Sequence, residues 1–153
     1  MEIVTKRCHI RPFCEGDIDA CMAYRNNAQW KYQSFKGLSR EQYREALLGG
    51  SPDEGVQLDI VCRRTGELLG DLYLRREGGV CWLGYTVAPE HARQGYAFEA
   101  APAAVAELAA RGVGCMMAGA EAENTASAAL LKKLGFTFLY AENGENIYSM
   151  KLQ

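Results

Sequence analysis

Leu83-Gly-Tyr-Thr-Val-Ala-Pro-Glu-His-Ala-Arg-Gln-Gly-Tyr-Ala-Phe-Glu-Ala100 is the stretch on which the reading of this chain turns. It runs from a strand through a tight polar turn into a helix that begins at Gly95. A helix N-terminus presents unpaired N–H groups and about half a positive charge. A glycine at the end of the turn lets an anion approach those groups closely. The loop Glu90-His-Ala-Arg-Gln94 carries no large apolar residue. A phosphate seat and a plain solvent-facing turn are both open on local physics alone.

Working outward, a first strand is predicted over 8–12 and a helix over 17–25, with Glu15-Gly16-Asp17 near its start. Ser39 and Gln42 form a capping box for a second helix, which Gly49-Gly50-Ser51-Pro52 ends. Strands are predicted over 56–63 and 67–75, joined at Arg64-Thr-Gly66, and over 80–87 after Gly78-Gly79. A long helix spans 93–111 and stops at Gly112. Pro102 lies inside it, removes one backbone bond toward Phe98 and predicts a kink or a local break. A short strand over 115–121, a helix over 124–134 closed by Gly135, and a strand pair over 136–140 and 147–152 complete the chain. The order β-α-α-β-β-β-α-β-α-β-β describes a mixed α/β domain with an antiparallel front half and a β-α-β-α-β back half.

A second informative segment is Ala118-Gly-Ala-Glu-Ala-Glu-Asn-Thr-Ala-Ser-Ala-Ala-Leu-Leu-Lys-Lys-Leu-Gly-Phe136. Asn124 stands at an N-cap position, and Ser127 falls one turn later near the same face. Taken alone, Asn124 reads as a plain cap and Ser127 as a small packing residue. Lys132 and Lys133 suit the negative end of the helix dipole.

Composition narrows the function classes. The chain has 153 residues, 48% of them hydrophobic and 24% charged, with a net charge of −2. That is ordinary for one soluble globular domain and gives no bulk electrostatic case for nucleic acid. No apolar run reaches membrane-spanning length, and Met1-Glu-Ile-Val-Thr-Lys shows no signal-peptide pattern, so a cytoplasmic protein without membrane contact is expected. The six cysteines show no C-x-x-C spacing and read as reduced, mostly buried thiols. His9 and His91 stand far apart without H-E-x-x-H, so no metal is expected. A nucleotide-binding α/β domain ranks last, because G-x-G-x-x-G and G-K-S/T are both missing.

Together the two segments resemble the GNAT superfamily of acyl-CoA-dependent N-acetyltransferases, and within it the RimJ/RimL-like branch. The family leads a G-Y-x-(L/V)-x-P-E segment into (Q/R)-G-x-G-Y-A-x-E-A. Here stand Gly84, Tyr85, Val87, Pro89 and Glu90, then Gln94-Gly-Tyr-Ala-Phe-Glu-Ala100. The family's later motif is matched by Ala118, Asn124, Ser127, Leu131, Lys133, Gly135 and Phe136. Ile10-Arg11-Pro12-Phe13, Asp17 and Tyr24-Arg25-Asn26 are similar to the branch's opening, so the resemblance covers nearly the whole chain.

The resemblance implies a single GNAT-like domain over 1–153. Its fold would be a mixed, mostly antiparallel sheet of about seven strands, splayed between the fourth and fifth and flanked by about four helices. It implies acetyl-CoA as donor and a primary amine as acceptor, either a protein N-terminus or a small molecule, in a monomer or homodimer. The CoA pyrophosphate would sit on N–H groups of Arg93, Gln94, Gly95, Tyr96 and Ala97, with Phe98 beside it. Pantetheine would pair with Thr86 and Val87 in the splay, near Asn124. The sequence departs from the family at Ala92, where a Gln or Arg is usual, and at Arg93, where a glycine is usual. Arginine does not take φ > 0 cheaply, though its guanidinium suits a phosphate. The tyrosine other branches use to protonate the thiolate falls at Leu131, and the resemblance to the RimJ/RimL-like branch, where a serine takes that role, implies Ser127 as the candidate acid. For the general base, Glu121 comes first and Asp71 second, with Tyr85 and a water chain third. Trp30, Tyr32 and Phe35 are expected to wall the acceptor pocket. A catalytically weak acyl-CoA-binding or sensing domain is the alternative.

Overall fold

The structure is a computed structural model that describes residues 1–26 and 37–152. It contains one sheet of eight strands in the order β1-β2-β3-β4-β5-β6-β8-β7. The strands are β1 (Ile3–Val4), β2 (Cys8–Pro12), β3 (Val56–Cys62), β4 (Leu68–Glu77), β5 (Val80–Val87), β6 (Cys115–Glu121), β7 (Thr137–Glu142) and β8 (Glu145–Lys151). Four α-helices are described: α1 (Ile18–Arg25), α2 (Arg40–Leu47), α3 (Tyr96–Ala110) and α4 (Thr125–Lys133). Short 3₁₀ turns at Glu15–Asp17 and Pro89–His91 precede α1 and α3. The eighth strand is β1, whose two residues are too few to show an alternation in sequence.

All sheet neighbours are antiparallel except β5 and β6. Those two pair only at Val80↔Cys115, Cys81↔Met116 and Trp82↔Met117. Beyond that point β5 stays with β4 and β6 stays with β8, and the strands part. This is the expected splay. The β7–β8 hairpin closes at Asn143-Gly144, both at positive φ, as a two-residue turn between right-twisted strands favours.

Each sheet face buries its own core. On one face Ile10, Leu58, Leu72, Leu74 and Leu83 meet Ala100, Ala101, Ala104 and Leu108 of α3 and Leu131 of α4. The alanines keep α3 close to the strands. On the other face α1 and α2 cover Val61 and Leu68 with Ile18, Cys21, Tyr24, Tyr43 and Leu47. The Ser39–Gln42 capping box starts α2 as predicted.

Two expectations need correction. The long helix starts at Tyr96 rather than residue 93, because Arg93 and Gly95 take left-handed φ values of 63° and 80° that no α-helix accepts. The helix also runs through Pro102, so of the kink or local break expected there the break does not occur. Pro102 itself is exposed. All six cysteines are free thiols; Cys8, Cys21 and Cys81 are buried and Cys14 is exposed. Among the described residues, no helix is long and apolar enough to cross a membrane.

Candidate active site

The parted ends of β5 and β6 leave one edge of each strand free. Ala88 N–H is bound to Leu69 O on β4 at 2.8 Å. Alternation along the strand then turns the main-chain groups of Val87 toward the gap. Gly70 permits this closeness of β4 and β5: a Cβ there would lie 2.1 Å from the Thr86 carbonyl oxygen.

At the end of β5 the chain makes the 3₁₀ turn Pro89–His91 and bends through Arg93 and Gly95 into α3. The first N–H groups of α3 have no intrahelical carbonyl to meet. Left-handed residues in a turn bring successive N–H groups into a concave, anion-binding arrangement. The turn is braced from outside. Arg7 Nη1 donates to Gln94 O at 2.8 Å, and Arg7 Nε to Glu99 Oε1 at 2.6 Å. The guanidinium lies 4.4 Å from the centroid of the Tyr96 ring. Burial pushes the Glu99 carboxyl up, but bonds from Thr5 and from the Arg7 backbone and side chain outweigh it, and its pKa falls to about 2. Ala97 is buried, whereas Phe98 is 46% exposed with Lys133 Nζ 5.7 Å from its ring.

α4 starts where the sequence places it. Asn124 Oδ1 accepts from Ser127 N–H at 3.1 Å, so Asn124 is a true N-cap. Ser127 is half-buried, and its Oγ lies 3.4 Å from the Tyr85 hydroxyl, which reaches over from β5. Burial raises the Tyr85 pKa, against the bond to Ser127, so the phenol stays neutral. Two hydroxyls, one from each side of the gap, therefore stand together.

Glu121 ends β6 on the opposite side of the sheet. It lines a cavity of about 610 Å³ with Trp82, Glu123, Tyr140, Glu142 and Glu145. Trp82 is the last β5 residue paired to β6, so the cavity borders the point where the strands part. Among the described residues, no lysine or arginine forms an ion pair with these glutamates. Glu121 and Glu145 face each other directly across β6 and β8.

Asp71 is not a free carboxylate. It is 1% exposed, Arg25 Nη2 lies 2.6 Å from its Oδ1, and Tyr24 OH donates to its Oδ2. Burial raises its pKa, with Arg25 and Tyr24 opposing. Arg25 Nη2 also lies 3.5 Å from Thr86 Oγ1. This buried network joins α1, β4 and β5, and it holds Asp71 away from the cavity that Glu121 lines. Trp30, Tyr32 and Phe35 lie outside the described residues. His91 belongs to the turn before α3, with Nε2 3.2 Å from Glu67 Oε2.

Sequence reasoning passed over Arg7, Thr5 and the role of Arg25. Arg7 and Glu99 stand 92 residues apart, and no local pattern marks them as partners. Tyr24-Arg25 was visible as part of a motif, but its bond to Asp71 depends on how α1 lies on the sheet.

Comparison with known proteins bears on this geometry. The structure is similar to an acetyltransferase of the GNAT family from Bacillus anthracis, with a TM-score of 0.86, 21% identity, and coverage of 99% of this chain and 98% of that one. It is similar to RimL, a ribosomal L7/L12 alpha-N-protein acetyltransferase in complex with coenzyme A, with a TM-score of 0.84, 21% identity, and coverage of 99% and 98%. RimJ from Mycobacterium smegmatis, in complex with a CoA disulfide, gives a TM-score of 0.80 at 19% identity, with coverage of 99% and 88%. Identities this low establish a shared fold and no more. A search by sequence against curated proteins finds no match. Residues 7–137 match the family described as Acetyltransferase (GNAT) domain, a span that takes in the turn before α3, the parted strands and α4. The chain therefore belongs to the GNAT family of acetyltransferases, enzymes that use acetyl-CoA as donor.

Proposed function

We propose that the protein transfers the acetyl group of acetyl-CoA directly to a primary amine within a ternary complex. The observation that carries this reading is the parting of β5 and β6 between a helix-start anion seat on one side and a carboxylate-lined cavity on the other. The pyrophosphate would rest on the N–H groups of residues 93–97, beside Phe98. Pantetheine would lie along Thr86 and Val87, since its amides need main-chain partners and the free strand edge supplies them. Asn124 would serve by capping α4 and so fixing Ser127 near the thioester sulfur.

The acceptor would enter through the cavity that Glu121 lines. A lysine-like amine has a pKa of about 10.4 and an α-amino group one of about 7.7–8.0, so either must release a proton before attack. Glu121 would take it. The C–N bond then forms and the C–S bond breaks. A main-chain N–H near Val87 would stabilise the thioester oxygen as it gains charge. The thiolate would leave toward the Ser127 hydroxyl, itself held by Tyr85. Asp71 enters as the anchor of Arg25 rather than as a base. A protein N-terminus, the substrate type named for RimL, and a small-molecule amine both fit an attack from this side.

The test is free-thiol release from acetyl-CoA over a panel of peptide N-termini and small amines, with CoA affinity measured alongside. Ser127→Ala and Glu121→Gln are expected to lower kcat by about 10²- to 10⁴-fold, the usual scale of acid–base assistance, with CoA affinity kept. Turnover unchanged in both variants would remove these residues from catalysis. CoA binding without turnover on any amine would favour the acyl-CoA-sensing alternative.

A further inference from the structure

We propose that Arg7 is a positioning residue of the donor site: it holds the Gln94 carbonyl back so that the Gly95 N–H points at the pyrophosphate, and it cancels the carboxylate that would repel that anion. The inference rests on residues 93–97 being the donor seat.

Arg7 Nη1 holds the Gln94 carbonyl oxygen at 2.8 Å. No cis peptide is present among the described residues, and a trans peptide sets its C=O and N–H on opposite sides. The N–H of Gly95 is therefore turned away from Arg7, toward the open side of the turn. Gly95 itself stands at φ 80°, and a Cβ there would lie 3.4 Å from Arg7 Nη2, so the guanidinium closes one side of the turn.

Glu99 occupies the first turn of α3, where a carboxylate suits the helix dipole but opposes a bound anion. The Arg7 backbone N–H donates to Glu99 Oε2 at 2.8 Å, Nε donates to Oε1, and the Thr5 hydroxyl donates to Oε2. Glu99 is thus drawn to the β1–β2 loop, and its charge is met by Arg7. The guanidinium lies over the Tyr96 ring, which fixes the first helical residue against the same loop. Arg7 is 40% exposed, so an ion pair of this kind contributes little to folding by itself. Its convergence on Gln94, Tyr96 and Glu99 is better explained by orientation of the turn.

The test is an amide-shift titration by NMR of the wild type, Arg7→Lys, Arg7→Ala and Arg7→Ala/Glu99→Gln, with coenzyme A and with pantetheine as probes. Pantetheine lacks the pyrophosphate, and the method reads weak binding. In the wild type, coenzyme A is expected to move the Gly95 amide strongly and pantetheine to leave it in place. Arg7→Ala should abolish the Gly95 shift and weaken coenzyme A by about 10- to 100-fold, the scale of one or two charge-assisted bonds, with pantetheine affinity unchanged. Arg7→Lys should fall between, because an ammonium cannot reproduce the fork. The double variant should recover part of the loss by removing the repelling charge. Equal weakening of both probes would reduce Arg7 to a structural role and overturn the proposal, as would an unchanged Gly95 shift. If the wild type binds the two probes alike, the donor seat itself fails, with or without Arg7.

Discussion

Arg93 is a non-glycine residue held at φ 63° where the family's pattern carries glycine. An L-residue in that region carries roughly 1–2 kcal/mol of strain. Arg93→Gly relieves it and returns about 0.4–1 kcal/mol of freedom to the unfolded chain. The ligand-free variant is therefore expected to melt at or slightly above the wild-type temperature, and Arg93→Val, whose branched Cβ suits that region worst, clearly below it. Thermal melts by circular dichroism check both, and a large loss in Arg93→Gly would mean that the guanidinium supports the turn. The sequence raised this conflict but left its outcome open, since only the folded turn shows that arginine accepts the strain. Asn124 was legible as a cap because cap chemistry is local. Arg7 was not, because its partners lie far away in the chain.

At the scale of elements, α3 is tied to the β1–β2 loop through Glu99. The Glu99 pKa lies at about 2 in the folded protein, below its ordinary 4.5. A depressed carboxylate contributes stability that is present above its ordinary pKa and is lost as pH falls toward the folded value. Between pH 4.5 and 2 the wild type should therefore lose stability that Glu99→Gln does not lose. With Arg7 partly exposed, the difference should be of order 1–2 kcal/mol. Urea melts at stepped pH measure it, and parallel curves for the two proteins would refute the linkage. Most elements were legible from hydrophobic period, caps and turn residues. The misjudged ones have physical reasons: β1 is too short to show a period, and residue 93 belongs to a turn with left-handed members.

Across the whole molecule, strand register lines up Arg11, Asp59, Asp71 and Thr86 on neighbouring strands, under α1 and α2. Asp59 is fully buried, with Arg11 Nη1 3.2 Å from its Oδ2. Burial first, then a hydrogen bond and repulsion from Asp17, push its pKa to about 9 against the pull of Arg11. For a carboxyl raised this way, stability is full below the ordinary value of 3.8 and declines as pH rises toward 9. Asp59→Asn is therefore expected to gain stability relative to the wild type as pH goes from 5 to 9, read by denaturant melts across that range. A difference that stays constant with pH would show that Asp59 is ionised throughout. No stretch of sequence displays this row, since its members come together only when four strands pair. By itself the sequence determined the order of elements from β2 onward, the α2 and α4 caps, the polar turn ahead of α3 and the likeness to an acyltransferase family, because each is written in contiguous residues or in two motifs at fixed spacing. The tertiary structure alone decided which groups meet: Arg7 with Glu99, Tyr85 with Ser127, Arg25 with Asp71, and Glu121 with the cavity beside Trp82. Those pairings depend on strand register and helix placement, which global packing sets and which local propensity does not encode.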